Sequence, residues 1–243
     1  MELQTAWSPP PLTLPTASED IHVWRAFLNR ACPSDSNVAL SRDELARAAR
    51  FVFPRDRNRY VAARDILRAI LARHIGVSAQ AIELEYEPDG KPRLGPIGGD
   101  PPVRFNLSHS EDLAVYAVSS AREVGVDVEA IRPAVLHAGI PEQFFSRAEV
   151  EKLRALPAGD QVEAFFLCWT RKEAYIKARG AGLGIPLDSF TVSLTPGEPA
   201  TLTSVDSSRW MLRSFKPAPG YAGALVAEGR AERIHFWNWN GVP

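Results

Sequence analysis

The sequence predicts an α+β protein built from two similar halves, residues 1–122 and 123–243. Two stretches carry helical periodicity and stop at a glycine, short strand-forming runs follow each of them, and the order of elements repeats. The first helix is Arg59 to Ile75, with Val61, Ile66, Leu67, Ile70 and Leu71 on its apolar stripe and Gly76 as its stop. A strand is expected at about Ile82 to Tyr86, then the turn PDGKP (Pro88 to Pro92), then an apolar stretch ending in FNLSHS (Phe105 to Ser110). The run DLAVYAVS (Asp112 to Ser119) gives a further strand. In the second half Ala164 to Arg179 is helical and stops at Gly180, and FTVSL (Phe190 to Leu194) is a strand. The turn PGEP (Pro196 to Pro199) follows, then strands in WMLRSF and YAGALVAE. The two copies are offset by roughly 107 residues, and two such halves meet at an interface, where ligand clefts are favoured.

Composition narrows the partners. With 243 residues, 45% of them hydrophobic and 23% charged, the chain can bury a full core. A formal net charge of −1 announces neither nucleic acid nor a membrane surface as partner, so phosphate binding must be local. Cys32 and Cys168 are the only cysteines and sit in unlike contexts, which fits a reducing compartment and a cytoplasmic protein. The N-terminus lacks the pattern of a signal peptide, and no apolar run is long enough to span a bilayer. His22, His74, His137 and His235 have no metal-ligand spacing and are expected to be structural or surface residues. FWNWN near the C-terminus is expected to anchor a last strand or cover an apolar patch.

Chemistry enters with GVDVE, Gly125 to Glu129. Side chains alternate along a strand, so Asp127 and Glu129 share one face while Val124, Val126 and Val128 share the other and can face the core. Two carboxylates so close repel unless they are solvated or share a cation, and Mg²⁺ suits them because it takes oxygen ligands and substrate phosphates. Alone, the pattern also fits an edge strand with solvated acids. In WTRKEAYIK, Trp169 to Lys177, Glu173 and Lys177 are four residues apart and share a helix face, with Arg171 and Lys172 beside them. Within a helix so rich in aromatic residues, this charged face points to a site for metal-bound pyrophosphate, although a surface ion pair gives the same pattern. Ser108 and His109 of FNLSHS lack the surroundings of a catalytic serine and fit a phosphate-holding loop. Arg55, Arg57, Arg59 and Arg64 add local positive charge or form a solvated face.

Taken in order, FNLSHS, GVDVE and WTRKEAYIKARGAGL resemble the 4′-phosphopantetheinyl transferase superfamily, in particular its longer, monomeric kind in which two similar halves form a pseudo-dimer. The resemblance runs from about Ser41 to Leu194 and includes GKP (Gly90 to Pro92) and FVFPRDRNRYVAARDILR (Phe51 to Arg68). It implies Mg²⁺ bound by Asp127, Glu129 and Glu173, and phosphate contacts from Lys172 and Lys177. It also implies contacts of Ser108 and His109 around the 3′-phosphate of coenzyme A, with Arg59 and Lys91 in the coenzyme A pocket. Members often carry lysines shortly before the first helix; here that stretch is SRDELARAAR, so Arg47, Arg50 and Arg55 all stand as replacements.

The implied reaction moves the 4′-phosphopantetheine arm of coenzyme A onto a serine of an apo carrier protein and releases adenosine 3′,5′-bisphosphate. Asp127, Glu173 and Lys177 are its candidate catalytic residues, with Glu173 as base, directly or through a metal-bound water, and Lys177 stabilising developing charge. The implied partners are coenzyme A and an acyl, polyketide or peptidyl carrier protein, with Val135 to Phe145 (VLHAGIPEQFF) as a contact segment or as core. A Mg²⁺-dependent phosphohydrolase and a non-catalytic coenzyme A-binding module are the alternatives.

Overall fold

The computed structural model describes residues 6–14, 20–29, 39–87, 90–96, 103–137, 139–180, 184–231 and 233–241. Cys32, part of the Pro88–Pro92 turn, part of the Val135–Phe145 segment and residues 181–183 lie outside them. Each half runs strand, helices, short hairpin, strand, strand. In the first these are β1 (Ile21–Phe27), α1 (Arg42–Ala48), α2 (Pro54–Ile75), the hairpin β2 (Leu84–Tyr86) and β3 (Pro92–Leu94), then β4 (Arg104–Ser110) and β5 (Leu113–Ser119). In the second they are β6 (Val124–Ala130), α3 (Ile140–Phe144), α4 (Arg147–Ala155), α5 (Ala158–Arg179), the hairpin β7 (Thr191–Val192) and β8 (Leu202–Thr203), then β9 (Trp210–Phe215) and β10 (Tyr221–Glu228). β11 (Ile234–Asn238) closes the chain.

The sheets show the repeat most directly. The first is ordered β11-β1-β5-β4 and the second β6-β10-β9, so in each half the first strand pairs with the last and the last with the one before it. β11 breaks the symmetry: it crosses to the first sheet and pairs parallel with β1, Ile21 opposite Ile234. The C-terminal strand therefore packs with the N-terminal half, a departure from a clean division at residue 122.

Three apolar clusters make four layers. α2 covers one face of the first sheet through Ile66, Leu67, Ile70 and Leu71 against Trp24, Ala114 and Tyr116. α5 covers the outer face of the second through Phe165, Ala174 and Tyr175 against Ala222, Ala224 and Val226. Between the sheets lie Ile21, Val23, Val115 and Ala117 of one, and Val124, Val126, Val128 and Leu225 of the other. Burying such a branched side chain is worth about 1.5–3 kcal/mol, so this shared layer binds the halves together.

Both long helices are longer than their periodicity suggests. α2 starts at Pro54 rather than Arg59, because proline at the first helical position lacks only an N–H that would be unpaired there. α5 starts at Ala158 rather than Ala164. Each has 22 residues and ends on a left-handed glycine, Gly76 or Gly180. α1 and α4 each begin with a capping box, Ser41 with Glu44 and Ser146 with Glu149. In both, the capping glutamate is buried and takes a cation from the long helix: Glu44 meets Arg68 at 2.8 Å and Glu149 meets Lys172 at 2.7 Å. FNLSHS, expected to hold phosphate as a loop, lies within strand β4.

Candidate active site

The site forms where β4 of the first half runs beside β6 of the second. Gly125 decides the spacing on the helix side. A Cβ there would lie 2.1 Å from the carbonyl oxygen of Ala174 and 2.3 Å from the nitrogen of Ala178, so only glycine lets the backbone of α5 rest on the strand. Gly125, Asp127 and Glu129 share that face, as strand alternation requires, while Val124, Val126 and Val128 enter the inter-sheet core. Asp127 is 2% exposed.

On the other side, alternate residues of β4 are directed at β6 and replace a backbone ladder. The Asn106 Oδ1 accepts from the Val126 N–H at 2.9 Å, and the Ser110 Oγ accepts from the Ala130 N–H at 3.1 Å. The Ser110 hydroxyl donates to Glu129 Oε2 at 2.7 Å, and the Ser108 hydroxyl to Asp127 Oδ1 at 2.7 Å. Lys177 comes down from α5, its Nζ 2.6 Å from Asp127 Oδ1 and donating to Ser108 Oγ at 3.1 Å. Asn106, Ser110 and Gly125 are the parts that sequence reasoning missed. Their signal is polar alternation, N-x-S-x-S, in a strand whose neighbours are apolar.

The electrostatics are those of crowded acids. Burial first, then the charge of Asp127, pushes the Glu129 carboxyl above the usual range, against the Ser110 hydrogen bond and Lys177. Glu173 is likewise raised by burial, by Asp127 and by Glu129, with Lys177 opposing. Asp127 Oδ2 is buried and has no hydrogen-bond partner among the described residues. An unpaired carboxylate oxygen between two raised glutamates is a place for a cation. As the side chains stand, the Lys177 ammonium supplies that positive charge, and no group of three or more His, Cys, Asp and Glu among the described residues is gathered into a ligand set.

The basic residues divide. Lys91 donates from its Nζ to the Lys177 carbonyl at 2.8 Å, fixing the end of α5 where a cation also meets the helix dipole. Arg59 is held at the β4–β5 turn by Asp112 Oδ1 at 2.7 Å and Glu111 Oε2 at 3.2 Å. Arg55 is exposed and 3.9 Å from Asp56, and Arg47, also exposed, lies 5.8 Å from the Tyr60 ring centroid. His109 points to the α2 side of β4, like Phe105 and Leu107, and is lowered by desolvation and by Lys177, Arg64 and Arg59. Lys172 corrects the sequence reading. It is fully buried, paired with Glu149, and donates to the carbonyls of Leu187 at 2.7 Å and Phe190 at 2.6 Å, so it holds the core and does not face a phosphate.

At the junction of two like halves, one brings hydroxyls and basic residues and the other carboxylates and a lysine. The 4′-phosphopantetheinyl transferase superfamily model matches residues 123–226, and the model of a 4′-phosphopantetheinyl transferase N-terminal region matches residues 34–121. The chain is 39% identical to the 4′-phosphopantetheinyl transferase HetI of Nostoc sp. over 98% of this chain and 100% of that one. It is 36% identical to psf-1 of Bacillus pumilus, covering 81% and 82% of the two chains, and 30% identical to Sfp of Bacillus subtilis, covering 84% and 91%. The chain belongs to the 4′-phosphopantetheinyl transferase superfamily.

Proposed function

We propose that this chain transfers the 4′-phosphopantetheine arm of coenzyme A to a serine hydroxyl of an apo carrier protein, with Mg²⁺ held by Asp127, Glu129 and Glu173. The observation that carries the metal reading is the buried, unpartnered Asp127 Oδ2 beside two glutamates whose ionisation is opposed by burial and by the charge of Asp127. Oxygen donors alone suit a hard divalent ion. When bound, the ion would offset the negative charge of the pyrophosphate.

The chain's own groups do the rest. The serine oxygen forms a bond to the phosphorus that carries pantetheine, and the bond from that phosphorus to the bridging oxygen of adenosine 3′,5′-bisphosphate breaks. Glu173, its affinity for a proton raised, takes the serine proton directly or through one water. Lys177, on the same helix face one turn away, meets the charge that develops on the departing phosphate. Ser108 and Ser110 hold Asp127 and Glu129 in register, so that the acids are positioned before substrate arrives. The two sides of the cleft come from residues 1–122 and 123–243 of one chain, which supports action as a monomer; the reading places it in the cytoplasm. No helix among the described residues is long and apolar enough to cross a membrane.

The test is intact-mass spectrometry of apo acyl, polyketide and peptidyl carrier proteins incubated with the protein, coenzyme A and Mg²⁺, with an EDTA control. A metal-dependent gain of one phosphopantetheine is expected. No gain on any carrier refutes the transfer, and adenosine bisphosphate released without a carrier assigns the site to hydrolysis instead.

A further inference from the structure

We propose that Glu111 is a positioning residue for the transfer: its carboxylate ties the two halves together at one end of the β4–β6 seam and so holds Glu129 in register. The inference rests on the transferase reading of this site. Glu111 and Asp112 form the turn between β4 and β5, with Ser110 paired opposite Leu113. Glu111 stands there at a φ of 51°, and among the described residues it is the only non-glycine in the left-handed region. A tight hairpin that needs positive φ at its first turn position ordinarily places glycine there, because a Cβ is strained in that conformation.

The side chain accounts for the glutamate. β4 and β6 are the edge strands of different sheets, and side chains alone join them. The links follow in order along β4: Asn106 to the Val126 N–H, Ser108 to Asp127, and Ser110 to both Glu129 and the Ala130 N–H. Glu111 adds the next one, its Oε1 3.5 Å from Nη1 of Arg132, just past the end of β6. Its Oε2 meets Arg59 of α2 at 3.2 Å, so one carboxylate joins the turn, the helix and the second half. A glycine would relax the turn and lose the link.

Stability does not explain that exchange. The Glu111 and Arg132 side chains are 38% and 63% exposed, and an ion pair so open to solvent adds little to folding. Arg59 has a closer partner in Asp112, at 2.7 Å. The strain of the turn is therefore not offset by the pairs that Glu111 makes. What the carboxylate supplies is position. The Ile131 N–H donates to the Gly220 carbonyl at 2.8 Å, which fixes the end of β6 from the β10 side. Glu111 and Arg132 fix it from the β4 side, next to the Ser110 hydroxyl that holds Glu129.

Two substitutions separate position from strain. Glu111→Gly removes the carboxylate and relaxes the backbone, whereas Glu111→Gln removes the charge and leaves the turn strained. Each is measured for its urea midpoint, for amide exchange at Ala130 and Val126 in metal-free protein, and for transfer to an apo carrier at saturating coenzyme A and Mg²⁺. Glu111→Gly should unfold at higher urea than wild type, and Glu111→Gln should not. Both should speed exchange of the Ala130 N–H by about 2- to 5-fold, the range of a half-exposed ion pair, and leave Val126 unchanged. Both should lower kcat by about 3- to 10-fold, short of the ~100-fold cost of a full 1 Å displacement, with the KM for coenzyme A within about two-fold. Arg132→Gln should match Glu111→Gln, and the double variant should lose no more than either, as for two partners in one contact. Transfer that tracks the urea midpoint, wild-type exchange at Ala130, or additive losses in the double variant each overturn the proposal and leave Glu111 a turn residue. The expected exchange pattern in a protein that modifies no carrier would refute the transferase reading and leave the tie across the seam standing.

Discussion

Replacing Gly125 by alanine tests whether the spacing of strand and helix sets the chemistry. The added Cβ would lie 2.1 Å from the Ala174 oxygen, 2.3 Å from the Ala178 nitrogen and 2.9 Å from the Ala178 Cα, all backbone atoms of α5. Carbon contacts settle at about 3.5–4.0 Å, so the helix must retreat by more than about 1 Å or tilt. Glu173 and Lys177 ride on that helix, and the 2.6 Å contact of Lys177 with Asp127 does not survive such a shift. A displacement of about 1 Å in a preorganised site costs on the order of 100-fold. Overpacking a core contact costs about 1–3 kcal/mol, which should leave the variant folded at low temperature. The expected result is a fall of about 100-fold in kcat/KM for coenzyme A, measured at a temperature where urea titration shows both proteins native. Activity within a few-fold of wild type in a folded Gly125→Ala protein would refute the claim that this contact fixes the acids against the lysine.

Two further outcomes follow from the same geometry. Lys172→Met leaves Glu149 buried without its partner and should cost about 3–5 kcal/mol in urea unfolding, while the KM for coenzyme A of the folded protein stays within about two-fold; an unchanged midpoint with a raised KM would return Lys172 to phosphate binding. Glu173 is raised above its ordinary 4.5 by burial, Asp127 and Glu129, so its contribution to stability is present below that value and is lost as pH rises through the folded one. Glu173→Gln, which cannot ionise, should therefore gain stability over wild type between pH 5 and pH 8 in metal-free buffer while losing transfer, and a stability difference that does not change with pH would contradict the charge argument.

Much of this was legible in the sequence, and the gaps have physical causes. GVDVE and the face shared by Glu173 and Lys177 follow from strand and helix periods alone. The same arithmetic separates Lys172, because its neighbour Glu173 lies about 100° away around a helix of 3.6 residues per turn. Its place beside Glu173 in the chain and the motif resemblance both group Lys172 with the site, and only its partner Glu149 reveals its role. FNLSHS suggests a loop because Asn and Ser compete with backbone ladders. Here that tendency is used inside a strand, whose side chains bind the backbone N–H groups of β6. FWNWN is expected to anchor a last strand or cover an apolar patch, and its first residues lie in β11, but β1 and the partner of β11 are not predicted. Their pairing joins Ile21 to Ile234, a contact no local pattern encodes.

The repeat raises a question that the active site alone does not answer: why, among the described residues, β6 carries an acid cluster and β1 does not. β1 stands in the first sheet where β6 stands in the second, with Ile21 and Val23 in the inter-sheet core as Val124 and Val126 are. His22 and Trp24 therefore hold the places of Gly125 and Asp127. Where Gly125 admits the backbone of α5, the His22 ring meets His74 of α2 at 4.8 Å, and burial, His22 and Arg73 push His74 down to about 3. An edge-to-face pair of histidine rings, with burial opposing a charge on His74, stands where the second half has an acid and a helix lysine. The edges differ in the same sense. β6 leaves its edge to the side chains of β4, which can hold carboxylates in place, whereas β1 pairs with β11 in a backbone ladder, and Trp237 of that strand donates to His22 Nδ1 at 3.0 Å. A ladder satisfies the edge and removes the exposed N–H row that invites other chains. Side-chain pairing of β4 with β6 leaves polar groups free to orient Asp127 and Glu129. In the first half the edge of β1 is taken by the backbone of β11 and not by side chains that could orient acids, so among the described residues the acid cluster of β6 has no counterpart on β1.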